Sequence, residues 1–208
     1  MNVVFDLGGV LFDWRPHEIV ARVLPQQAPT AEAAQRLVDD IFQAYGGDWG
    51  EFDRGTIAPE PLALAIAKRT GLSAADVRAV INAVPHALAP IPGTVNLLER
   101  LHPRLLARGR ALYFLSNMPE PYALHLEATH GFLSLFKRGV FSARVQLIKP
   151  EPAIYARAAE LLGITPAQSL FIDDMDRNVH AARAAGWQAV LFKDPAQCER
   201  ELQTRGLL

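Results

Sequence analysis

Apolar runs of four to six residues recur along the chain, separated by stretches in which hydrophobic positions repeat with helical period. Five of these runs, rich in β-branched and aromatic residues, predict strands: Asn2–Asp6, Ala111–Ser116, Gly139–Ser142, Ser169–Asp173 and Gln188–Phe192. The helical patterns between the later runs close on Gly109, Gly163 and Gly186, where helix C-termini are expected. Thr165-Pro166 predicts an N-cap with proline at the first helical position. Strands that are apolar throughout, rather than alternating, belong in a parallel sheet covered by helices on both faces. The expectation is an α/β chain with a doubly wound sheet, whose polar site gathers at the carboxyl ends of the strands.

One interval departs from this alternation. From Asp13 to Pro90 no strand is predicted, only helical stretches including Ala31–Tyr45, Pro59–Thr70 and Ser73–Val84. Ser73 with Asp76 three residues on has the pattern of a capping box. About 75 helical residues are too many for one crossover between strands. They read as a helical cap over residues 14–87, inserted in a core formed by 1–13 and 88–208.

Composition narrows the function classes. The 208 residues are 50% hydrophobic, enough for a sizeable core, and the net charge is -1 with basic residues scattered. No nucleic-acid or membrane partner is expected, and no apolar run has the length of a membrane span. The single cysteine, Cys198, excludes an internal disulfide and fits a reducing cytoplasm. Six histidines without a metal-binding spacing argue against zinc; His86, His125 and His180 read as structural or surface residues. A monomer or homodimer is expected.

The strand ends carry the chemistry. The first delivers Asp6, the second Ser116-Asn117 and the fourth Asp173-Asp174, while Lys149-Pro150 follows the third. Each is an ordinary loop residue when taken alone; their joint arrival at one sheet edge is not ordinary. Carboxylates beside a lysine suit Mg²⁺ and a phosphoryl group, because the metal takes hard oxygen ligands and the lysine and backbone N–H groups offset the phosphate charge. Glycines at 8 and 9 let the backbone approach such a group closely.

FDLGGVLFDW, FLSNM, IKPEPAIY and FIDDMDRNVHAARAAG, in this order, resemble the four motifs of the haloacid dehalogenase superfamily. The helical insert resembles that family's C1 cap on a Rossmann-like core. GDWGEFDRGTI is similar to the cap segment of the subgroup with sugar-1-phosphate phosphatases and the phosphatase domain of soluble epoxide hydrolase. The resemblance implies an Mg²⁺-dependent phosphatase acting on a small phosphate monoester, such as a sugar phosphate, through an aspartyl-phosphate. Asp6 would be the nucleophile and a metal ligand, with the Gly8 carbonyl, Asp174 and, less directly, Asp173 completing the metal site. Ser116 and Lys149 would hold the phosphoryl group, Asn117 would orient it, and Asn178 would stand behind the metal ligands.

Position 8 departs from the family's usual pattern. Most of its phosphatases read Asp-x-Asp, the second acid protonating the leaving oxygen; here that residue is Gly8. A backbone carbonyl still reaches the metal, but general acid–base catalysis, typically worth about 10²–10⁴-fold, needs a carboxyl. Three readings follow: a phosphatase whose substrate has a good leaving group, a 2-haloacid dehalogenase, or a non-catalytic binding protein. The Asp173-Asp174 pair weighs against the dehalogenase, and the intact Asp6, Ser116, Lys149 and Asp174 weigh against the binding protein. Asp13, the acid near in sequence, reads as a hinge residue. Trp14, Tyr45, Trp49, Phe52 and Arg54 are candidates for the cap wall of a cleft, Arg54 as an anion reader.

Overall fold

The computed structural model describes residues 1–208, with strands β1 (Asn2–Phe5), β2 (Leu112–Ser116), β3 (Arg138–Phe141), β4 (Ser169–Asp173) and β5 (Gln188–Leu191). They form one parallel sheet in the order β3-β2-β1-β4-β5. Each lies within a residue or two of its predicted run. The sheet explains why these runs are apolar throughout. Val3 and Phe5 of β1, Leu112 and Phe114 of β2, and Leu170 and Ile172 of β4 pack into one buried cluster. The residues between them, Val4, Tyr113, Leu115 and Phe171, pack into a second cluster on the opposite face. With side chains alternating between two buried faces, both sets of positions must be apolar.

Register brings the polar strand ends together. Phe5 pairs with Phe114 on one side and Ile172 on the other. One residue further, Asp6 is therefore level with Asp173, and its N–H donates to the Ile172 carbonyl at 2.8 Å. Adjacent strands are about 4.8 Å apart, so the fold forces two carboxylates into proximity.

Between β1 and β2 run five cap helices and one that returns to the core. They are α1 (Pro16–Val23), α2 (Ala31–Phe42), α3 (Gly47–Arg54), α4 (Pro59–Thr70), α5 (Ala74–Ala87) and α6 (Pro92–Leu106). Ser73 caps α5, its hydroxyl accepting the Asp76 N–H at 3.0 Å. The apolar cluster on the Val3 face continues into this block through Ile19, Ile41, Phe42, Phe52 and Ile66. The outgoing and returning chains lie side by side: Asp13 N–H donates to the Ala89 carbonyl and Ile91 N–H to that of Leu11, both at 2.8 Å. The Asp13 carboxylate pairs with Arg15 at 2.8 Å where the outgoing and returning chains meet.

Two local expectations differ. The pattern over Ala31–Tyr45 breaks after Phe42, because Gln43, Ala44 and Tyr45 adopt left-handed backbone with φ 49, 50 and 64°. The turn is held from the core, where Arg177 donates to the Ala44 carbonyl at 2.9 Å. Thr165 stands at the N-cap with Pro166 first in the turn, as expected, but its side chain accepts no capping hydrogen bond, and Pro166–Gln168 is a single 3₁₀ turn running straight into β4 rather than a full helix. After β2 come α7 (Glu120–Thr129), α8 (Ser142–Val145), α9 (Pro152–Leu162), α10 (Asp176–Ala184) and α11 (Pro195–Thr204). No helix is long and apolar enough to cross a membrane.

Candidate active site

Asp6 follows β1 directly. One of its oxygens accepts the Leu7 N–H at 2.7 Å, and the other meets the Lys149 ammonium at 2.8 Å. Lys149 also reaches Asp173, at 2.6 Å, and both its partners are buried. One ammonium thus bridges the two carboxylates that strand register placed side by side. Burial pushes the Asp6 carboxyl pKa above its ordinary range, opposed by the Lys149 charge. For Lys149 burial works downward, yet the charges of Asp173 and Asp6 hold its pKa above the usual lysine value. Ion pairing therefore outweighs desolvation at the lysine, which stays charged.

Lys149 is held by its own backbone as well as its head group. The Asn117 side-chain oxygen accepts the Lys149 N–H at 2.8 Å, and the Asn117 amide donates to the Lys149 carbonyl at 3.0 Å. This reciprocal pair ties Asn117 to the Lys149 backbone, while Asn117 also lines the cavity. Ser116, 1% exposed at the end of β2, turns its side chain to the cavity.

Asp173 is saturated by protein donors. Met175 N–H reaches one oxygen at 2.8 Å, Lys149 the other, and the Asn178 amide both, at 3.0 and 3.1 Å. Asp174 points the other way, open at the cavity rim, while the protein around it and the Asp173 charge raise its pKa. Ligand-atom positions on Asp6, Asp173 and Asp174 lie within 4.8 Å of one another. Three carboxylates face one ammonium, and the buried Asn178 side-chain oxygen has no partner. Such an oxygen-rich, anion-excess set suits a hard divalent cation. Asp6 and Asp174 retain free lone pairs for it, whereas Asp173 is committed to fixing Lys149 and Asn178.

The two glycines after Asp6 differ. Gly9 has φ 72°, and a Cβ there would lie 2.3 Å from an Asp174 carboxylate oxygen. Gly8 has no such restriction, since a Cβ there would meet nothing within 4 Å. The close backbone approach thus requires glycine at 9, and position 8 simply leaves space above the nucleophile.

The cavity over this edge has a volume of about 150 Å³. Asp6, Gly8, Ser116, Lys149 and Asp174 form its floor. Its upper wall comes from Trp14, Tyr45, Trp49, Val84 and Leu88, facing Met118 and Tyr122 from the core. The Tyr45 hydroxyl accepts the Trp14 indole N–H at 2.8 Å, fixing both rings. Phe52 lies instead in the apolar cluster, 1% exposed. Arg54 does not reach the cavity; its guanidinium makes a two-pronged contact with Glu151 at 2.9 and 2.5 Å. Successive helical residues are about 100° apart, so Arg54 points outward because its neighbour points in. That neighbour is Asp53, 6% exposed and part of the cavity wall. Sequence reasoning passed over it, although a helix with Trp49 and Phe52 buried predicts that position 53 faces inward too. His86 and His125 pack on each other at 4.6 Å between ring centres, and His180 is exposed beside Asp176, all away from the cavity.

The haloacid dehalogenase-like hydrolase family matches residues 1–186. The chain belongs to the haloacid dehalogenase-like hydrolases. Among its relatives is a sesquiterpene phosphatase of Aspergillus oryzae, 26% identical over 201 residues that span 96% of this chain and 93% of that one. A haloacid dehalogenase-family enzyme of Bacteroides thetaiotaomicron, solved with magnesium and inorganic phosphate, superposes with a TM-score of 0.69 at 22% identity, covering 92% and 93% of the two chains. The L-2-haloacid dehalogenase of Xanthobacter autotrophicus with covalently bound chloropropionic acid gives 0.68 at 22% identity, covering 100% and 84%. The last two share the fold and separate no activities.

Proposed function

We propose that this hydrolase is a magnesium-dependent phosphatase that cleaves a small phosphate monoester through an aspartyl-phosphate on Asp6. The observation that carries the reading is the carboxylate excess at the cavity floor, where Asp6, Asp173 and Asp174 face the single ammonium of Lys149. Mg²⁺ would be held by Asp6, Asp174 and the Gly8 carbonyl; when bound, it neutralises charge on the phosphoryl oxygens and lets a dianion approach a carboxylate.

The chain's own residues supply the rest. Leu7 N–H and Lys149 hold the Asp6 carboxylate in one orientation, leaving its remaining lone pairs toward the cavity. Lys149 stabilises charge on the phosphoryl group as Asp6 attacks, because its position is fixed by Asp173 and Asn117. The Ser116 hydroxyl donates to a phosphoryl oxygen from the end of β2. Trp14, Trp49, Val84 and Leu88 favour an alcohol with an apolar body over a bare polyol, a departure from the expected sugar phosphate. The sesquiterpene phosphatase among the relatives agrees with that preference.

The test is turnover of 4-nitrophenyl phosphate and of 2-chloropropionate, each with Mg²⁺ and with EDTA. Phosphate release that EDTA abolishes and Mg²⁺ restores is expected. Chloride release undiminished in EDTA would replace the phosphatase reading with the dehalogenase one.

A further inference from the structure

The alcohol leaving a phosphate ester needs a proton, and the floor of the cavity has no group to give it. Position 8 carries no side chain, Lys149 is committed to two carboxylates, and Asp13 is paired with Arg15 at the hinge. The roof has one acid that the mechanism above does not use. Asp53 lies in α3, is 6% exposed, and its carboxyl has neither a hydrogen-bond nor an ion-pair partner. A buried carboxyl without a partner is costly, and the side chain opens on the same cavity as Asp6 and Gly8.

Three consecutive residues dock this point of the cap on the core. The buried Ser142 hydroxyl donates to the Asp53 carbonyl at 2.5 Å while accepting the Met118 N–H at 2.8 Å. Arg54 grips Glu151. Gly55, with φ 81°, lies so close to the Ala143 backbone that a Cβ would be 2.8 Å from its carbonyl oxygen. On the other side Phe52 packs edge-on against Tyr122 at 5.5 Å. The Asp53 backbone is therefore anchored, in the wall of the cavity whose floor holds Asp6.

We propose that Asp53 is the proton donor that position 8 lacks, which rests on the phosphatase reading of the same site. Asp6 attacks phosphorus and the bond from phosphorus to the ester oxygen breaks. The Asp53 carboxylic acid gives its proton to that oxygen, and the neutral alcohol leaves. The Asp53 carboxylate then takes a proton from water as its oxygen attacks the aspartyl-phosphate, so that Asp6 is released with inorganic phosphate and Asp53 is again protonated. The acid can be in hand at neutral pH, since burial pushes the Asp53 carboxyl up to about 8 against the opposing Lys149 charge. The titratable and charged groups around the same cavity are Asp6, Lys149 and Asp174 from the floor, Arg177 from α10, Tyr122 from α7 and Tyr45 from the left-handed turn. Lys149 and the two tyrosines are held above their ordinary values and keep their protons through that range. Burial raises Asp6 and Asp174 as well, so it is the loss of the descending limb in Asp53→Asn that assigns that limb to Asp53.

The experiment compares 4-nitrophenyl, phenyl and 4-methoxyphenyl phosphates, which differ in leaving-group acidity and little in size. Wild-type kcat/KM is expected to depend weakly on leaving group and to fall as pH rises past the Asp53 pKa. Asp53→Asn should lower the phenyl and 4-methoxyphenyl rates by about 10²-fold, the 4-nitrophenyl rate far less, and remove the descending limb of the pH profile. Gly8→Asp in that background should restore the poor leaving groups, because space above Gly8 is open. A steep leaving-group dependence in the wild type, which is readable even if the variant fails to fold, overturns the proposal. Equal losses on all three esters in a folded Asp53→Asn, or no loss at all, overturn it too. Wild-type enzyme that releases no phosphate from any of them defeats the phosphatase reading itself.

Discussion

At the floor of the cavity every buried charge meets an opposite one: Lys149 lies between Asp6 and Asp173, and Asp173 also accepts from Asn178 and Met175. At the roof the cap offers aromatic rings and one carboxyl, Asp53, with no partner of its own. The floor is built to hold charge in a fixed place through a reaction; the roof is built to exclude water and to keep an acid neutral. A paired buried charge is pinned in place by its partner even where burial raises its pKa, as at Asp6, whereas the Asp53 proton is held by burial with no bonded partner. That difference teaches which half does electrostatic work and which half can exchange a proton.

The comparison breaks most visibly at Asp6. Asp6→Asn should abolish phosphate release while melting close to the wild type, since the amide keeps the shape and is no nucleophile. Retention of more than about a tenth of wild-type turnover would remove covalent attack from the floor.

Lys149→Ala comes next. It strands Asp6 and Asp173 beside one another without their cation, a loss of about 3–5 kcal/mol in urea unfolding near neutral pH. The penalty should shrink in acid, where the Asp6 carboxyl, already raised by burial, is protonated. A variant as stable as the wild type at both pH values would show that the floor is not held by charge.

The glycine pair sharpens the contrast within the floor. Gly9→Ala forces a Cβ onto the Asp174 carboxylate in left-handed backbone, costing about 1–2 kcal/mol. It should also raise the Mg²⁺ concentration needed for half-maximal rate. Gly8→Ala should leave stability within about 0.5 kcal/mol. Equal effects at both positions would mean that Gly8 is as constrained as Gly9.

At the roof, stability itself should report Asp53. Its pKa is 3.8 unfolded and about 8 folded, so between those values the native state binds the extra proton. Its contribution to stability is therefore full below 3.8 and declines as pH rises through about 8. Asp53→Asn should flatten that part of the melting-temperature profile relative to wild type. An unchanged slope would place the Asp53 charge in solvent.

The smallest effect belongs to Arg54. Because its partner Glu151 is 39% exposed, Arg54→Ala should cost under about 1 kcal/mol in thermal unfolding and leave KM for 4-nitrophenyl phosphate unchanged. A large rise in KM would return Arg54 to the substrate.

The sequence by itself determined the sheet, because a parallel strand buried on both faces must be apolar at successive positions, as Val3-Val4-Phe5 and Leu170-Phe171-Ile172 are. It also determined which polar residues end those strands, since Asp6, Ser116 and Asp173 stand where an apolar run stops. Tertiary structure alone decided what each does there. Register set Asp6 level with Asp173, and from that followed the position of Lys149 between them and the capture of Asn117 by the Lys149 backbone. It also decided the exchange of Arg54 for Asp53. Both occupy one short helix, and which of two adjacent side chains faces the cavity depends on how that helix is docked by Ser142, Glu151 and Ala143, each some 90 residues away along the chain. A local pattern records that a helix has a buried face; only contacts from distant residues say what that face is turned toward.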